Sequence, residues 1–459
     1  MALRRPIKIL TPEGIHMHTE RTLLLAITGM SPAVVTETLY GIDRNGGAWP
    51  KEIKIITTSK GKAKIAKGLI EDQQLEKLCQ ELGKPMIPFS DEQIMVVPNA
   101  EGKPVEDARN LADHEALANF IMTTVRNEAQ NNNTRIHASI AGGRKTMTFY
   151  LGYAMSLFGR HFDKLSHVLV GENSEMFERC PDFYFPTRND HIVREFNGAE
   201  HNAKNATVIL ADIPFIRQRA LVPELMKNMQ DNIDFRLLTH LINLGEQPDQ
   251  VELHAYPAEQ YLMVKSRNSC EEMARVHFPN LLHWSTYLLL LEDTLRDPEE
   301  REEFCTWDTK ARDDIFAMVL LKKVCEIRSM EPKGDTIEEI STNLAEDFDR
   351  EGEHAGLKSS LDSIAKTGFT GGNFNTYRNA IKKTLSDKLP TNLANLLVPK
   401  QQDQTLSDEE LAERNAESNS NPKPKGERSS RRKTKTGIKG GQYYIIKLPN
   451  QNKQIFINN

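Results

Sequence analysis

Three short stretches of this 459-residue chain place hydroxyls and glycine directly after apolar, β-branched runs. They are Thr28-Gly29-Met30-Ser31-Pro32, Thr57-Thr58-Ser59-Lys60-Gly61 and Gly142-Gly143-Arg144-Lys145-Thr146. Hydroxyls and unsatisfied backbone N–H groups bind phosphate or ribose oxygens, and glycine lets a ligand come close to the backbone. Lys60, Arg144 and Lys145 add positive charge at two of the three. The chemistry these residue types suit is the holding of a phosphate-bearing ligand. A plainer reading stands beside it, in which Ser31, Ser59 and Thr146 each cap a helix, as any α/β protein requires. For one hydroxyl alone the cap is the better reading. Three such turns together with Arg144 and Lys145 favour the ligand.

Other chemistries find less support. Gly142-Gly143-Arg144-Lys145-Thr146 lacks the upstream glycine of a P-loop, and Thr28-Gly29-Met30-Ser31 is not a dinucleotide-binding GxGxxG. His16 and His18 alternate on a polar leader and read as surface residues rather than a metal pair, while His137, inside an apolar run, reads as a hydrogen-bonded core histidine. The five cysteines, at 79, 180, 270, 305 and 325, form no CxxC pair. They are expected to be unpaired thiols in a reducing compartment. No metal and no cofactor is expected. A net charge of −5 gives no bulk affinity for nucleic acid, so an anionic ligand must be met by a local patch. Hydrophobic content of 39% and charged content of 27% describe a soluble protein. Residues Met1 to Arg21 lack the apolar stretch of a signal peptide, and runs such as Leu23–Thr28 and Tyr287–Leu291 are too short to span a bilayer. A cytoplasmic location without membrane contact is the expectation.

The elements that must position these turns follow from hydrophobic periodicity. Leu23–Thr28, Glu52–Thr58, Gln93–Pro98, residues 134–141 and Leu165–Val170 read as strands. Helices are expected from Ala33 to about Tyr40, from Ser59 through Leu69, over Gln74–Glu81, within Val105–Glu128 and over Met147–Met155. This alternation predicts an α/β fold with a doubly wound, mainly parallel sheet over 20–205. Ala206–Leu210 is a further strand candidate. Residues 206–330 read as a mostly helical middle region with a possible strand pair near 249–265. The remainder, 331–459, has three short helices (Ile337–Leu344, Leu357–Ala365, Tyr377–Leu385) followed by two strands expected to form a hairpin, Gln442–Leu448 and Gln454–Ile457. That order suggests a small winged-helix-like α+β module, interrupted by a polar segment at 401–436 expected to be disordered.

Leu24-Leu25-Ala26-Ile27-Thr28-Gly29-Met30-Ser31-Pro32, continuing to Tyr40, with Ile56-Thr57-Thr58, Ser139–Met147 and Leu165–Val170, resembles the CRISPR-associated Rossmann-fold (CARF) family, in the branch related to ring nucleases. The motifs cover residues 22–188, and Ala211–Phe215 is also similar. Residues 372–385 and 443–448 are only weakly similar to longer members. The resemblance implies a homodimer that binds cyclic oligoadenylate, with cyclic tetra-adenylate the expected ring, in a groove across the dimer axis. It implies that Ser31 and Lys145 serve cleavage. Thr28, Gly29, Thr57, Thr58, Lys60, Gly142, Gly143, Arg144 and Thr146 are then the ligand-binding positions.

The expected function is a metal-independent ring nuclease that opens cyclic tetra-adenylate and switches off antiviral signalling. The alternative is a sensor whose C-terminal module binds DNA or RNA, through Arg378, Lys382, Lys383 and Lys388 on one helix and a basic arm at Arg428, Arg431, Arg432, Lys433 and Lys435. A HEPN ribonuclease, the effector many CARF proteins carry, is disfavoured. Past residue 205, Arg236/His240, Arg275/His283 and Arg350/His354 all have the wrong spacing.

Overall fold

The computed structural model describes residues 21–172, 174–223, 226–227, 234–268, 272–297, 312–350, 355–402 and 443–458. The chain divides into two units, Met1–Val222 with Met226–Leu238, and Pro223–Leu225 with Thr239–Asn459.

The first unit is built on the strands β1 (Arg21–Ile27), β2 (Glu52–Thr57), β3 (Ile94–Val96), β4 (Thr134–Ser139) and β5 (Lys164–Val170). Two short strands, β6 (Ile192–Arg194) and β7 (Glu200–Asn202), pair only with each other, and β8 (Val208–Asp212) follows. The main sheet runs β3-β2-β1-β4-β5-β8. Its first five strands are mutually parallel and β8 is antiparallel to β5, so the mainly parallel α/β sheet and the extra strand after Asn205 are both present. Leu23, Leu24, Leu25 and Ile27 are wholly buried. A central parallel strand has both faces covered and so reads as a continuous apolar run.

The connecting helices are α1 (Ala33–Arg44), α2 (Ser59–Ile65), α3 (Gln74–Leu82), α4 (Leu111–Gln130) and α5 (Lys145–Phe158). The expected helix from Ser59 through Leu69 is α2 continued by a π-helical turn, Ala66–Glu71. Of Val105–Glu128, all but the first six residues are helix. Asn110 caps α4 by accepting a hydrogen bond from the Asp113 N–H, which leaves 98–110 as a loop.

A helix α6 (Phe235–Leu244) leads into the second unit, where β9 (Val251–Tyr256), β10 (Tyr261–Ser266) and β11 (Glu272–His277) form an antiparallel meander. Among the described residues of the middle region, a third strand thus joins the expected pair. Helices α7 (Leu281–Leu295), α8 (Asp314–Ile327), α9 (Ile337–Arg350), α10 (Ala355–Thr367), α11 (Gly371–Lys388) and α12 (Thr391–Leu397) follow. Trp284, Tyr287, Phe316, Phe369 and Phe374 are buried among them.

The expected C-terminal hairpin does not form. Strand β13 (Tyr443–Ile445) pairs with β12 (Lys400–Gln402), while β14 (Ile455–Ile457) lies parallel to β9, with Ile455 opposite Leu253. The three helices expected for a winged helix are present as α9, α10 and α11, but without that hairpin as a wing. Of segment 401–436, Gln401 and Gln402 belong to β12. The rest of it, with the basic arm at 428–435, lies outside the described residues, as do His16, His18, Cys270, Cys305 and His354.

Candidate anion-binding site

The strand order places β2 and β3 on one side of β1 and β4 and β5 on the other. The loops leaving the carboxyl ends of β1 and β4 therefore head to opposite faces, and such a reversal opens a crevice between them. The two loops touch. A Cβ built on Gly29 would lie 3.5 Å from the Gly143 Cα. Gly143 has φ +85°, and a Cβ there would sit 2.6 Å from Ile27 Cγ2, so both backbone conformation and space require glycine. The buried Thr28 hydroxyl donates to the Ser31 carbonyl at 2.6 Å and closes the first turn.

The plain capping reading fails for the three hydroxyls. The N-cap residues of α1, α2 and α5 are Pro32, Thr58 and Arg144, and none makes a side-chain cap hydrogen bond. Ser31 precedes the cap of α1 and its side chain is exposed, with no hydrogen bond to any described residue. Ser59 is the first residue of α2 and its hydroxyl donates to Val105 O at 3.4 Å. Thr146 lies in the first turn of α5, with its Oγ1 buried and unpartnered. The first-turn N–H groups of α5 thus receive no side-chain cap, and Lys145 opens this helix with an exposed ammonium that forms no ion pair with a described residue. A helix N-terminus in that state favours an anion.

The other expected binding residues divide into three kinds. Thr28 and Thr57 are wholly buried, and a Cβ on Gly61 would fall 2.0 Å from Thr57 Oγ1, so these threonines shape the loops from beneath. Thr58 is nearly buried at the start of α2. Lys60 and Arg144 are exposed but engaged by the loop between β3 and α4. Lys60 Nζ lies 3.0 Å from Glu106, and Arg144 Nε donates to Asp107 Oδ1 at 2.6 Å. Arg144, and after it Arg109, holds the Asp107 carboxyl below the usual carboxylate range. The same loop accepts the Ser59 N–H on Val105 O at 3.0 Å.

One residue with an unusual charge state was not legible as a site residue. Glu37 on α1 is 8% exposed, and burial, followed by the nearby Glu178, pushes its carboxyl up to about 7. Its signal in the sequence was an acid inside Val35–Leu39, a helical stretch in which every residue is buried. His137 is the core histidine its context suggested. Its Nε2 lies 2.7 Å from Ser166 Oγ, and burial pushes the imidazole down to about 4.

In the second unit Arg378 is half-buried, with Nε donating to Pro399 O at 2.9 Å and its guanidinium over the Tyr444 ring. Lys382 and Lys383 are exposed. Among the described residues no group of His, Cys, Asp and Glu is placed to hold a metal, and Cys79, Cys180 and Cys325 are free and buried. No helix among them is long and apolar enough to cross a membrane.

Residues 31–278, more than half of the chain, match the family model described as CRISPR-associated protein NE0113 (Cas_NE0113). The chain belongs to this CRISPR-associated family. The family match begins at Ser31, takes in the Gly142-Gly143-Arg144-Lys145 turn and ends just past β11. Lys382 and Lys383 on α11 lie beyond it. No curated protein matches the chain.

Proposed function

We propose that this CRISPR-associated protein is a CARF-type ring nuclease that binds cyclic tetra-adenylate in the cytoplasm and opens it, ending the antiviral signal. One observation carries the reading: at the β1/β4 reversal, Ser31 on the first loop and Lys145 at the start of α5, just after the second, are exposed and uncommitted to any described residue. Family membership supports the CRISPR context.

The reaction is an internal transfer. A ribose 2′-oxygen bonds to its own 3′-phosphorus while the bond from that phosphorus to the next 5′-oxygen breaks. The 2′-hydroxyl proton is lost to solvent, the departing 5′-oxygen gains one, and a 2′,3′-cyclic phosphate remains. Lys145 and the α5 N-terminus offset the charge that gathers on the phosphoryl oxygens, and Ser31 donates a hydrogen bond to the scissile phosphate. Arg144 orients the phosphate once it exchanges Asp107 for the ligand. A two-fold ring suits an isologous dimer. Met30 on the first loop, 59% exposed, and Phe149 on α5, 63% exposed, offer apolar surface to a second copy.

Equilibrium binding of radiolabelled cyclic tetra-adenylate tests the ligand. Binding by the wild-type chain that Lys145→Ala weakens supports the proposal; absence of binding ends it. Binding without product instead favours the sensor reading. There the exposed Lys382 and Lys383 on α11 are the residues whose substitution should abolish a gel shift with DNA or RNA.

A further inference from the structure

A cavity of about 700 Å³ opens beside the crevice, reaching from Ser31 and Ala141 past Glu37 to Phe183 and Tyr184. Its size falls within the range of small-molecule sites, about 300–1,000 Å³. Val34, Val168 and Phe177 supply apolar wall. Glu37 lines this space while making no hydrogen bond or ion pair with any described residue, although it is more than nine-tenths buried. Its carboxyl oxygens are not among the enclosed, unpartnered side-chain atoms, so they face the cavity, where polar groups of a ligand can pair with them.

The charged and titratable groups that share the cavity come from several elements. Lys64 belongs to α2, Lys67 to the π-helical turn and Asp72 follows it. His167 stands on β5, Glu178 on the short turn Glu175–Arg179, with Cys180 and Tyr184 after it. None of the cations pairs with Glu37, and Glu178 is the group that acts on it electrostatically. Glu37 is therefore mostly protonated below about pH 7. A neutral carboxyl offers an O–H donor beside a C=O acceptor, as a glutamine amide does with N–H and C=O. Adenine presents the complement, a ring-nitrogen acceptor beside an exocyclic amino donor, which is why amide side chains pair with it in two places. Glu37 is four residues along α1 from its first residue, about 6 Å further from the phosphate-binding loop. A base attached to a ribose held near Ser31 reaches that depth.

We propose that Glu37 reads an adenine of the bound ring, donating from its protonated carboxyl to a ring nitrogen and accepting from the exocyclic amino group. This rests on the ring-ligand reading above. The test is titration of the full-length protein with cyclic tetra-adenylate and with the matching ring of purine riboside, which lacks the amino group. The wild-type chain should bind the amino-free ring about tenfold more weakly. Glu37→Ala should bind both rings alike, at the weaker level. Glu37→Gln should keep the preference and lose the weakening that the wild type shows between pH 6 and pH 8.5, which separates Glu37 from His167. Equal preference for the amino group in wild type and Glu37→Ala, with folding verified by thermal melting, overturns the base-reading role and leaves ring binding intact. Failure of the wild type to bind cyclic tetra-adenylate at all overturns the ring reading, and the base site with it.

Discussion

Arg144 is held by Asp107: the guanidinium that opens toward the α5 N-terminus is engaged by a carboxylate from the β3–α4 loop. The neighbouring Glu106 holds Lys60 in the same way. Two consecutive acids thus cover two of the cations a phosphate ligand would use. Both pairs are exposed to solvent, where such contacts are weak and exchangeable. Asp107→Asn should tighten cyclic tetra-adenylate binding by about two- to fivefold, measured by titration calorimetry at low salt. Weaker binding would place Asp107 in support of Arg144 rather than in competition with the ligand.

Ser31 and Lys145 are exposed, so their removal should leave the fold untouched. Lys145→Ala should lower single-turnover cleavage by about 100- to 1,000-fold, the loss typical of one donor at a developing negative charge. Ser31→Ala should lower it less. Both variants should melt within a degree or so of the wild type, and a large drop in melting temperature would make their losses structural.

The phosphate turns were legible because the sheet is parallel. Apolar runs such as Leu23–Ile27 end where glycine and hydroxyls begin, and a parallel α/β sheet puts all such ends on one edge. Glu37 was not legible as a site residue, because Glu178 and Tyr184, which share its cavity, lie far along the chain. The hairpin expectation failed for a related reason. Composition identifies Gln442–Leu448 and Gln454–Ile457 as strand segments, but a strand's partner is set by whichever edge has unpaired backbone groups. The free edge of β9 lies 202 residues before Ile455, in the pairing of Leu253 with Ile455.

Glu37 also gives the molecule a distinct pH dependence. Its carboxyl is raised to about 7 from an ordinary 4.5, so between those values the folded chain holds a proton that the unfolded chain has lost. Stability from this group is greatest below pH 4.5, falls as pH rises, and is fully lost above about 7. The loss is on the order of 3 kcal/mol. Glu37→Gln should therefore raise the melting temperature at pH 8 and change it little at pH 4.5. An equal effect at both values would contradict the assignment.

Docking of the C-terminal strand can be tested separately. Ile455 is buried opposite Leu253, and the fully buried Gln454 donates to Val251 O at 2.6 Å and Pro248 O at 2.7 Å. Ile455→Ala should cost roughly 2–4 kcal/mol in urea unfolding. A cost below about 0.5 kcal/mol, the scale of surface substitutions, would mean that β14 does not pair with β9.

The most direct test of the central claim is a cleavage assay. Full-length protein is incubated with radiolabelled cyclic tetra-adenylate in EDTA, and the products are resolved by chromatography. The expected product is linear oligoadenylate ending in a 2′,3′-cyclic phosphate, formed by the wild type and largely lost in Lys145→Ala. Recovery of intact ring after prolonged incubation with saturating protein would contradict it.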